Sequence, residues 1–333
     1  MERPATPLGP IGLVLPTFVQ DTVPRWAAGP PRSADLGPSL PPEPGPLAEL
    51  ADTCRDAEER GADALWACDH LFWHGPSLEP LTALTVAATA TTQAVLGTCV
   101  VQLPLRRASA VAKQAASLQT LTGGRFVLGV GVGSHAGEYQ QAGVDYHERG
   151  RILDEGIAEL RRCWATGDGP PVGDVAAGGP HRYRQLPAPA AVPVWVGGSS
   201  EAALRRAALR ADGWMPLFLN PLEYRHALER LAKETDRAGR PADAVTPSIV
   251  LFVSVDDDPA QARRRGTGWM SSLYGIPAKA FDRHLVSGTA DEVAAVMDEF
   301  RTQGARHVAV YVTDDQPIEQ FERVVAALSA ARR

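Results

Sequence analysis

Apolar and polar positions alternate along the chain in blocks that predict strands and helices in turn. Short, nearly continuous apolar runs are typical of strands buried on both faces, and apolar residues that recur every three or four positions are typical of amphipathic helices. A helical pattern follows each of the apolar runs. The predicted strands are residues 11–18, 64–68, 94–103, 125–132, 194–196, 213–216, 248–255 and 307–312.

Eight strand–helix units in 333 residues predict a (β/α)8 TIM barrel. The main alternative, a doubly wound sheet, usually places G-x-G-x-x-G after its first strand, whereas here a proline-rich stretch at 20–46 follows that strand. Proline fixes φ and lacks an amide hydrogen, so this insertion is predicted to be a long loop. A second long loop, 167–193, separates strands four and five. We expect residues 1–8 to form a flexible tail and residues 9–333 to form a single barrel domain.

The composition narrows the class of protein. Apolar residues make up 44% of the chain and charged residues 22%, which supports a packed core rather than disorder. The net charge of −6 and the lack of a long basic run argue against nucleic acid as the main partner. The first residues contain no apolar signal core, and the most apolar stretch, 81–90, is too short to span a bilayer. We therefore expect a cytoplasmic protein without a membrane partner.

Cysteine and histidine spacing predicts neither disulfides nor a metal site. The four cysteines, at positions 54, 68, 99 and 163, form no C-x-x-C pair. The histidines show no H-x-H or H-E-x-x-H spacing, so no metal is expected.

The residues that follow the second predicted strand are the first candidates for catalysis, because barrel enzymes place their chemistry at the carboxyl ends of the strands. These residues read Asp69-His70-Leu71-Phe72-Trp73-His74. Histidine titrates near neutrality and is a good general acid or base, so His70 is the candidate catalytic group. Asp69 could orient His70, and Trp73 could cover a flat ligand. The alternative is a surface loop in which Asp69 only caps a turn.

The third and fourth strand ends give weaker signals. Cys99 fits a buried structural thiol better than a nucleophile, because no partner base is evident in the sequence. Glycine and valine alternate over residues 129–133. Glycines inside a strand mark the close approach of either a ligand or another part of the barrel, and the pattern alone leaves both open.

The fifth strand runs through Gly197, Gly198, Ser199 and Ser200 directly into a predicted helix. Amides at the start of a helix lack partners within the helix, and together with the serine hydroxyls they can bind a phosphate. The alternative is that Ser200 is an ordinary helix N-cap.

Taken together, these stretches resemble the bacterial luciferase-like monooxygenase superfamily, and most closely its branch that uses the deazaflavin coenzyme F420. The matching stretches occur in family order across most of the chain. They are IGLVLPTF, GADALWACDH, LGTCVVQLP, AKQAASLQTLTGGRFVLGVGVG, AGVDYHERGRILDE, PVWVGGSSEAALRRAALRADGWMP and GTADEV.

The resemblance implies a (β/α)8 barrel with a flavin-like ring at its mouth. It implies that the phosphate lies on the amides of residues 197–200 and that a non-proline cis peptide joins Cys99 to Val100 behind the ring. It also places His70 beside the reactive face of the ring. The residues predicted to line the cofactor and substrate pocket are Cys99, Val100, Gln102, Ser134, Gly197, Gly198, Ser199, Ser200, Thr17, Phe18, Trp73, His74 and Trp214.

Two departures from the family pattern bear on the substrate. A carboxylate of the sugar-phosphate dehydrogenase in this superfamily is replaced here by Ser134, and its phosphate-binding lysine by Asn220. Glucose 6-phosphate is therefore disfavoured as a substrate. The segment between the last two strands contains Trp269, Tyr274 and Phe281, which we expect to cover the mouth.

Three hypotheses for the function follow. The first is an F420-dependent oxidoreductase that moves a hydride between the deazaflavin and a small organic substrate, with His70 handling the proton. The second is a two-component monooxygenase that takes reduced FMN from a partner reductase and activates oxygen. The third is a binding protein on the same fold without a cofactor. The family usually forms homodimers, and we expect the helix at 109–121 to contribute to such an interface.

Overall fold

The computed structural model describes residues 9–17, 46–73, 75–167, 185–187 and 191–331. The predicted tail at 1–8 and most of the predicted loops at 20–46 and 167–193 lie outside the described residues, as do Phe18 and His74.

Parallel strands form a closed ring, which confirms the predicted (β/α)8 barrel. The strands are β1 (Ile11–Val14), β2 (Ala64–Ala67), β3 (Val95–Thr98), β4 (Val101–Gln102), β5 (Phe126–Gly131), β6 (Val194–Gly197), β7 (Gly213–Met215), β8 (Thr246–Val255), β9 (Leu285–Gly288) and β10 (His307–Val312). The ring runs from β1 through β2, β3, β5, β6, β7 and β8 to β10, which pairs with β1. Almost every residue of these strands is buried, as the continuous apolar runs predict.

Helices surround the ring and follow its strands. They are α1 (Pro46–Glu59), α2 (Pro80–Ala90), α3 (Ala108–Leu121), α4 (Ala136–Ala142), α5 (Arg149–Thr166), α6 (Glu201–Arg210), α7 (Pro221–Arg237), α8 (Pro259–Tyr274), α9 (Ala290–Thr302) and α10 (Pro317–Ala331). Local chemistry sets several of their starts: Asn220 and Glu223 form a reciprocal capping box at α7, so Asn220 has a structural role. None of the helices in the described ranges is long and apolar enough to cross a membrane.

The structure departs from the sequence prediction at the third strand. The predicted strand 94–103 is interrupted: β3 ends at Thr98 and β4 begins at Val101. A cis peptide joins Cys99 to Val100 at this break, as the resemblance implied. Both β3 and β4 pair with β5, so the chain bulges and then rejoins the same neighbour.

Two further elements were not predicted from the sequence. Strand β9 pairs with the last four residues of β8, Phe252–Val255, beyond the point where β7 ends, and it lies outside the closed ring. Helix α4 has only seven residues, which is too short for a helical apolar period to be visible in the sequence.

Large aromatic rings fill the barrel interior below the mouth. Trp66 and Trp195 lie 5.4 Å apart, centroid to centroid, and both are buried beside His307. Glycines on the neighbouring strands leave room for them. A Cβ at Gly97 would lie 2.3 Å from the ring of Trp66, and one at Gly213 would lie 2.4 Å from the ring of Trp195. We call Trp66, Trp195 and His307 the floor cluster.

Candidate active site

The carboxyl ends of the strands surround a cavity of about 310 Å³. This is the end of a barrel at which enzymes place their active sites, and the volume is at the small end of the usual range for ligand pockets. The described residues that line it are Cys68, Asp69, His70, Trp73, Cys99, Val100, Gln102, Gly131, Val132, Gly133, Ser134, His135, Gly197, Gly198, Leu217, Phe218, Val250, Phe252, Leu273, Tyr274 and Tyr311.

A buried carboxylate holds the imidazole of His70. Nδ1 of His70 lies 2.8 Å from Oε2 of Glu138, which belongs to the short helix α4. The side chain of His70 is 18% exposed, whereas that of Glu138 is 2% exposed. The pair therefore presents an imidazole ring to the cavity and keeps its carboxylate behind it, which is the arrangement of a proton-transfer group with an orienting partner.

Hydrogen bonds fix Glu138 and keep it charged. Its Oε1 accepts the amide hydrogens of Leu71 and Phe72 at 2.9 and 3.1 Å. Burial acts to raise the pKa of Glu138, but the hydrogen bond and charge of His70, with the Phe72 amide and the Gln102 side chain, outweigh burial and lower the pKa. Glu138 is thus an anion at neutral pH that can stabilise a positive charge on His70.

Glu138 was not predicted from the sequence, although one signal pointed toward it. The sugar-phosphate dehydrogenase of the superfamily has a carboxylate at the position where this chain has Ser134. The structure supplies a carboxylate from one helical turn further along, where α4 turns Glu138 back toward His70. The signal in the sequence was thus a carboxylate four positions beyond Ser134.

The role predicted for Asp69 is wrong. Asp69 forms an ion pair with Arg106, with Oδ1 2.5 Å from Nη2, and its Oδ2 accepts the backbone amide hydrogen of Gln102 at 2.9 Å. It therefore fastens β4 to the end of β2 and does not orient His70. A single sequence could not separate the two roles, because Arg106 lies 37 positions away.

Gln102, one of the predicted pocket residues, contacts Asp69, His70 and Glu138. Its side-chain amide donates to Oε2 of Glu138 at 3.1 Å and to the carbonyl oxygen of Asp69 at 3.1 Å, and it lies 3.3 Å from Nδ1 of His70. Gln102 is buried and cannot easily change these bonds. It therefore holds His70 and Glu138 in one arrangement.

Aromatic rings cover the exposed side of His70. The ring of Trp73 lies 3.8 Å from that of His70, centroid to centroid, with a 33° angle between the planes. His135 meets Trp73 edge-on at 4.7 Å. Trp73 and Ser134, both predicted pocket residues, line the cavity beside these rings. This arrangement restricts the access of water to the His70–Glu138 pair.

The alternation of glycine and valine in β5 accommodates the bulge in the neighbouring strand. A Cβ at Gly129 would lie 1.9 Å from the carbonyl oxygen of Thr98, and one at Gly131 would lie 2.6 Å from the side chain of Val100. Tight packing of the barrel thus accounts for these glycines. Cys99 and Val100 both line the cavity, so the bulge forms part of its wall as predicted.

Two thiols lie together in this wall. The sulfur atoms of Cys68 and Cys99 are 3.5 Å apart. The hydrogen bond with Cys68 and burial both raise the pKa of Cys99, so its thiol stays protonated and is a poor nucleophile. No cluster of three or more His, Cys, Asp or Glu residues suited to a metal occurs in the described part of the chain.

The predicted phosphate site lies at the edge of the cavity. Gly197 and Gly198 line it, and Gly198 has φ +100°, a conformation that favours glycine. Ser199 follows, and Ser200 is the N-cap of α6, with its side chain accepting the amide hydrogen of Ala203. The cap therefore exists, and the other amides of the first turn of α6 still lack partners within the helix.

Two predicted pocket residues lie elsewhere. Trp214 is fully buried outside the cavity, where its ring stacks on Tyr224 at 5.5 Å and its indole N–H donates to the carbonyl oxygen of Gly198. Thr17 is fully buried and does not line the cavity. Residues alternate between the two faces of a strand, and Trp214 lies on the face toward the helices. Of the segment expected to cover the mouth, Tyr274 reaches the cavity.

Comparison with known sequences identifies relatives of the chain. A family model described as luciferase-like monooxygenase matches residues 32–307. An uncharacterised protein of Mycobacterium tuberculosis is 36% identical over 182 residues, and the match covers 54% of this chain and 61% of that protein's length. A phthiodiolone/phenolphthiodiolone dimycocerosates ketoreductase of Mycobacterium tuberculosis is 27% identical over 281 residues, with 72% of each chain covered.

Comparison with solved structures supports the barrel. An F420-dependent secondary alcohol dehydrogenase, in complex with an F420-acetone adduct, has a TM-score of 0.72 and 19% identity, over 85% of this chain and 95% of that one. The oxygenating constituent of 3,6-diketocamphane monooxygenase of Pseudomonas putida, in complex with FMN, has a TM-score of 0.70 and 14% identity, over 97% of this chain and 98% of that one. At these identities the likeness is one of fold, and the fold carries F420 in one protein and FMN in the other.

Proposed function

Because the chain belongs to the luciferase-like monooxygenase family, we propose that it is an oxidoreductase that uses coenzyme F420. It transfers a hydride between the deazaflavin and a small organic substrate whose oxygen atom gains or loses a proton. The observation that carries this proposal is the His70–Glu138 pair at the mouth of the barrel. A proton-transfer pair of this kind is what the interconversion of a carbonyl group and an alcohol requires beyond a hydride donor.

The strand ends fit the two parts of a deazaflavin. The Cys99–Val100 peptide would back the ring, since both residues line the cavity. The amides at Gly198 and Ser199 and at the start of α6 would bind the phosphate, because a helix amino terminus attracts anions. When it is bound, the cofactor supplies or accepts the hydride.

His70 handles the proton. Because Nδ1 is bonded to Glu138, proton exchange with a substrate falls to Nε2. The Glu138 carboxylate stabilises the protonated ring, and Gln102 fixes both groups. Trp73 limits the access of water and orients the imidazole by stacking on it. These residues would therefore give a proton to a substrate oxygen, or take one from it, in a fixed geometry.

Names among the relatives agree with this assignment. The related mycobacterial protein is called a ketoreductase, and one structural neighbour is an F420-dependent alcohol dehydrogenase. Both names describe the carbonyl–alcohol interconversion that the His70–Glu138 pair would serve.

A titration of the purified protein with oxidised F420 and with FMN, followed by fluorescence, tests the cofactor. We expect F420 to bind in the micromolar range and at least about tenfold more tightly than FMN, a difference of about 1.4 kcal/mol. Preference for FMN would contradict the proposal. Binding of neither would support a cofactor-free binding protein.

The second candidate is an FMN-dependent two-component monooxygenase. It is favoured by the resemblance to 3,6-diketocamphane monooxygenase, which extends over 97% of this chain. Oxygen uptake with reduced FMN and a substrate panel distinguishes the two. We expect no substrate-dependent oxygen uptake, and an observed one would replace the first proposal by the second.

We also propose that the protein forms a homodimer and that a separate reductase regenerates its reduced cofactor. The contact surface would be a groove between α2 and α3, which is lined by Leu81, Leu118 and the exposed Leu121. Light scattering after size-exclusion chromatography tests the dimer, and a monomer at micromolar concentration would contradict it.

A further inference from the structure

One side of the cavity is built from stacked aromatic rings that the proposed chemistry does not use. Phe218 stacks on Phe252 at 5.4 Å with 10° between the planes, and Phe252 stacks on Tyr311 at 4.8 Å with 23°. All three residues line the cavity. We call Phe218, Phe252 and Tyr311 the aromatic wall. They come from the segment after β7, from β8 and from β10, three neighbouring parts of the barrel.

The backbone at Phe218 adopts a conformation that bulky residues rarely show. Its φ is 61°. Among the non-glycine residues that the structure describes, only Phe218 has a positive φ. Glycine would fit this position without steric cost, so the presence of phenylalanine calls for another reason. That reason is the ring, which this backbone conformation stacks on Phe252 in the wall.

Other residues support the wall and keep it apolar. Tyr274 meets Phe218 and Phe252 edge-on at 6.0 and 6.2 Å, and Trp269 meets Tyr311 edge-on at 5.4 Å. The remaining described lining residues on this side are aliphatic: Leu217, Val250 and Leu273. No Asp, Glu, Lys or Arg stands among the described lining residues of this side.

One polar atom in the wall lacks a partner. The hydroxyl of Tyr311 is buried and has no hydrogen-bond partner among the described residues. Burial raises its pKa, so the hydroxyl stays protonated and can donate a hydrogen bond. A buried hydroxyl without a partner is unfavourable, and a ligand oxygen that accepts from it would relieve that cost.

We infer that the aromatic wall is the substrate-binding platform and that it selects an uncharged, flat, largely apolar molecule with a carbonyl or hydroxyl oxygen. A flat ring system would stack on Phe218 and Phe252, as aromatic faces do with one another. A charged substrate is disfavoured, because no Asp, Glu, Lys or Arg among the described lining residues of this side could pair with its charge and offset the loss of its hydration. The identity of the reacting group, a carbonyl or hydroxyl, rests on the proposed function. The shape and charge of the rest of the substrate rest on the aromatic wall alone.

Binding of two matched ketones tests the inference. The probes are 2-acetylnaphthalene and 6-acetyl-2-naphthoate, which share the flat body and the ketone and differ in one carboxylate. Calorimetry with the full chain, with and without F420, should show at least about tenfold tighter binding of the uncharged ketone. Equal or tighter binding of the naphthoate would overturn the inference.

Two variants with a control locate the binding. Phe252→Leu should weaken binding of 2-acetylnaphthalene about tenfold. Phe126→Leu is the control, because Phe126 is an equally buried strand residue that does not line the cavity. Phe218→Gly should weaken binding similarly without straining the backbone, because glycine accepts this conformation, and circular dichroism at the assay temperature checks that the variant is folded. Equal effects of Phe252→Leu and Phe126→Leu, or unchanged binding in Phe218→Gly, would overturn the inference.

The outcome also separates the platform from the proposed function. Wall-dependent binding of the ketone without its F420-linked reduction would keep the platform and reject the reaction. F420-linked reduction of charged or purely aliphatic ketones, insensitive to Phe252→Leu, would keep the reaction and reject the platform.

Discussion

A histidine meets a tryptophan at two levels of the barrel, and the two pairs have different surroundings. In the floor cluster, Nε2 of His307 accepts the indole hydrogen of Trp66 at 2.9 Å, and Nδ1 lies 2.8 Å from the carbonyl oxygen of Gly9. His307 is fully buried, and burial lowers its pKa to about 4. A neutral ring with one donor and one acceptor satisfies both contacts, so His307 is a packing residue with a fixed tautomer.

The pair at the mouth has the same two residue types and a different partner. His70 stacks on Trp73, and its Nδ1 contacts the carboxylate of Glu138 in place of a carbonyl oxygen. Glu138 is charged at neutral pH because its hydrogen bonds lower its pKa despite burial. The ring of His70 also lines a cavity. The Nδ1 partner and the access to solvent, rather than the residue type, therefore decide whether a histidine packs or transfers protons.

The largest difference between the two levels should appear in turnover. His70→Ala should lower kcat about 10²–10⁴-fold, because it removes the proton-transfer group. The affinity for cofactor should stay within about threefold, since the phosphate site is untouched. His307→Gln should leave kcat of the folded protein nearly unchanged. Steady-state kinetics at saturating cofactor measure both, and an unchanged kcat in His70→Ala would remove His70 from the mechanism.

Glu138→Gln should have a smaller effect of a more specific kind. It removes the charge that stabilises a protonated His70 and keeps a similar shape, so kcat should fall about a hundredfold. The pH profile of kcat should also change, because the variant loses the charge beside the imidazole. Asp69→Asn is the comparison variant, and a change of equal size there would contradict the assignment to Glu138.

The floor cluster should reveal itself in the pH dependence of stability. The pKa of His307 is lowered from 6.5 to about 4, so between these values the unfolded chain takes up a proton that the folded chain does not. The free energy of unfolding should therefore fall as pH decreases from 6.5 to about 4, by up to about 3 kcal/mol. Urea unfolding at a series of pH values tests this, and His307→Gln should flatten the dependence over that window. An equally steep dependence in the variant would assign it to other groups.

Two glycine substitutions give the smallest effects and contrast the packing of the two levels. Gly97→Ala should destabilise the protein by about 2 kcal/mol, because the added Cβ would lie 2.3 Å from the ring of Trp66. Gly137→Ala in α4 meets nothing within 4 Å and should stabilise the protein by about 0.5–1 kcal/mol, since alanine favours helix. Melting temperatures measure both. An unchanged melting temperature in Gly97→Ala would mean that the rings of the floor cluster can shift to make room for the added methyl group.

Much of the architecture could be predicted from the sequence because it depends on local patterns. The apolar runs that predicted the strands and the helical periods between them are set by neighbouring residues, and their number predicted the barrel. The position of His70 at a strand end followed from the same patterns. The break in the third strand at Cys99–Val100 followed only from the resemblance to a family, because the apolar run itself continues through it.

The sequence by itself thus determined the barrel, the order of its strands and the placement of His70 at its mouth. The tertiary structure decided which residues surround that histidine. Glu138 lies 68 positions from His70, Arg106 lies 37 positions from Asp69, and the wall residues Phe218, Phe252 and Tyr311 are similarly spread. Residues this far apart in the sequence meet only when the ring of strands closes in one register. The register of each strand determines which of its side chains point into the mouth of the barrel.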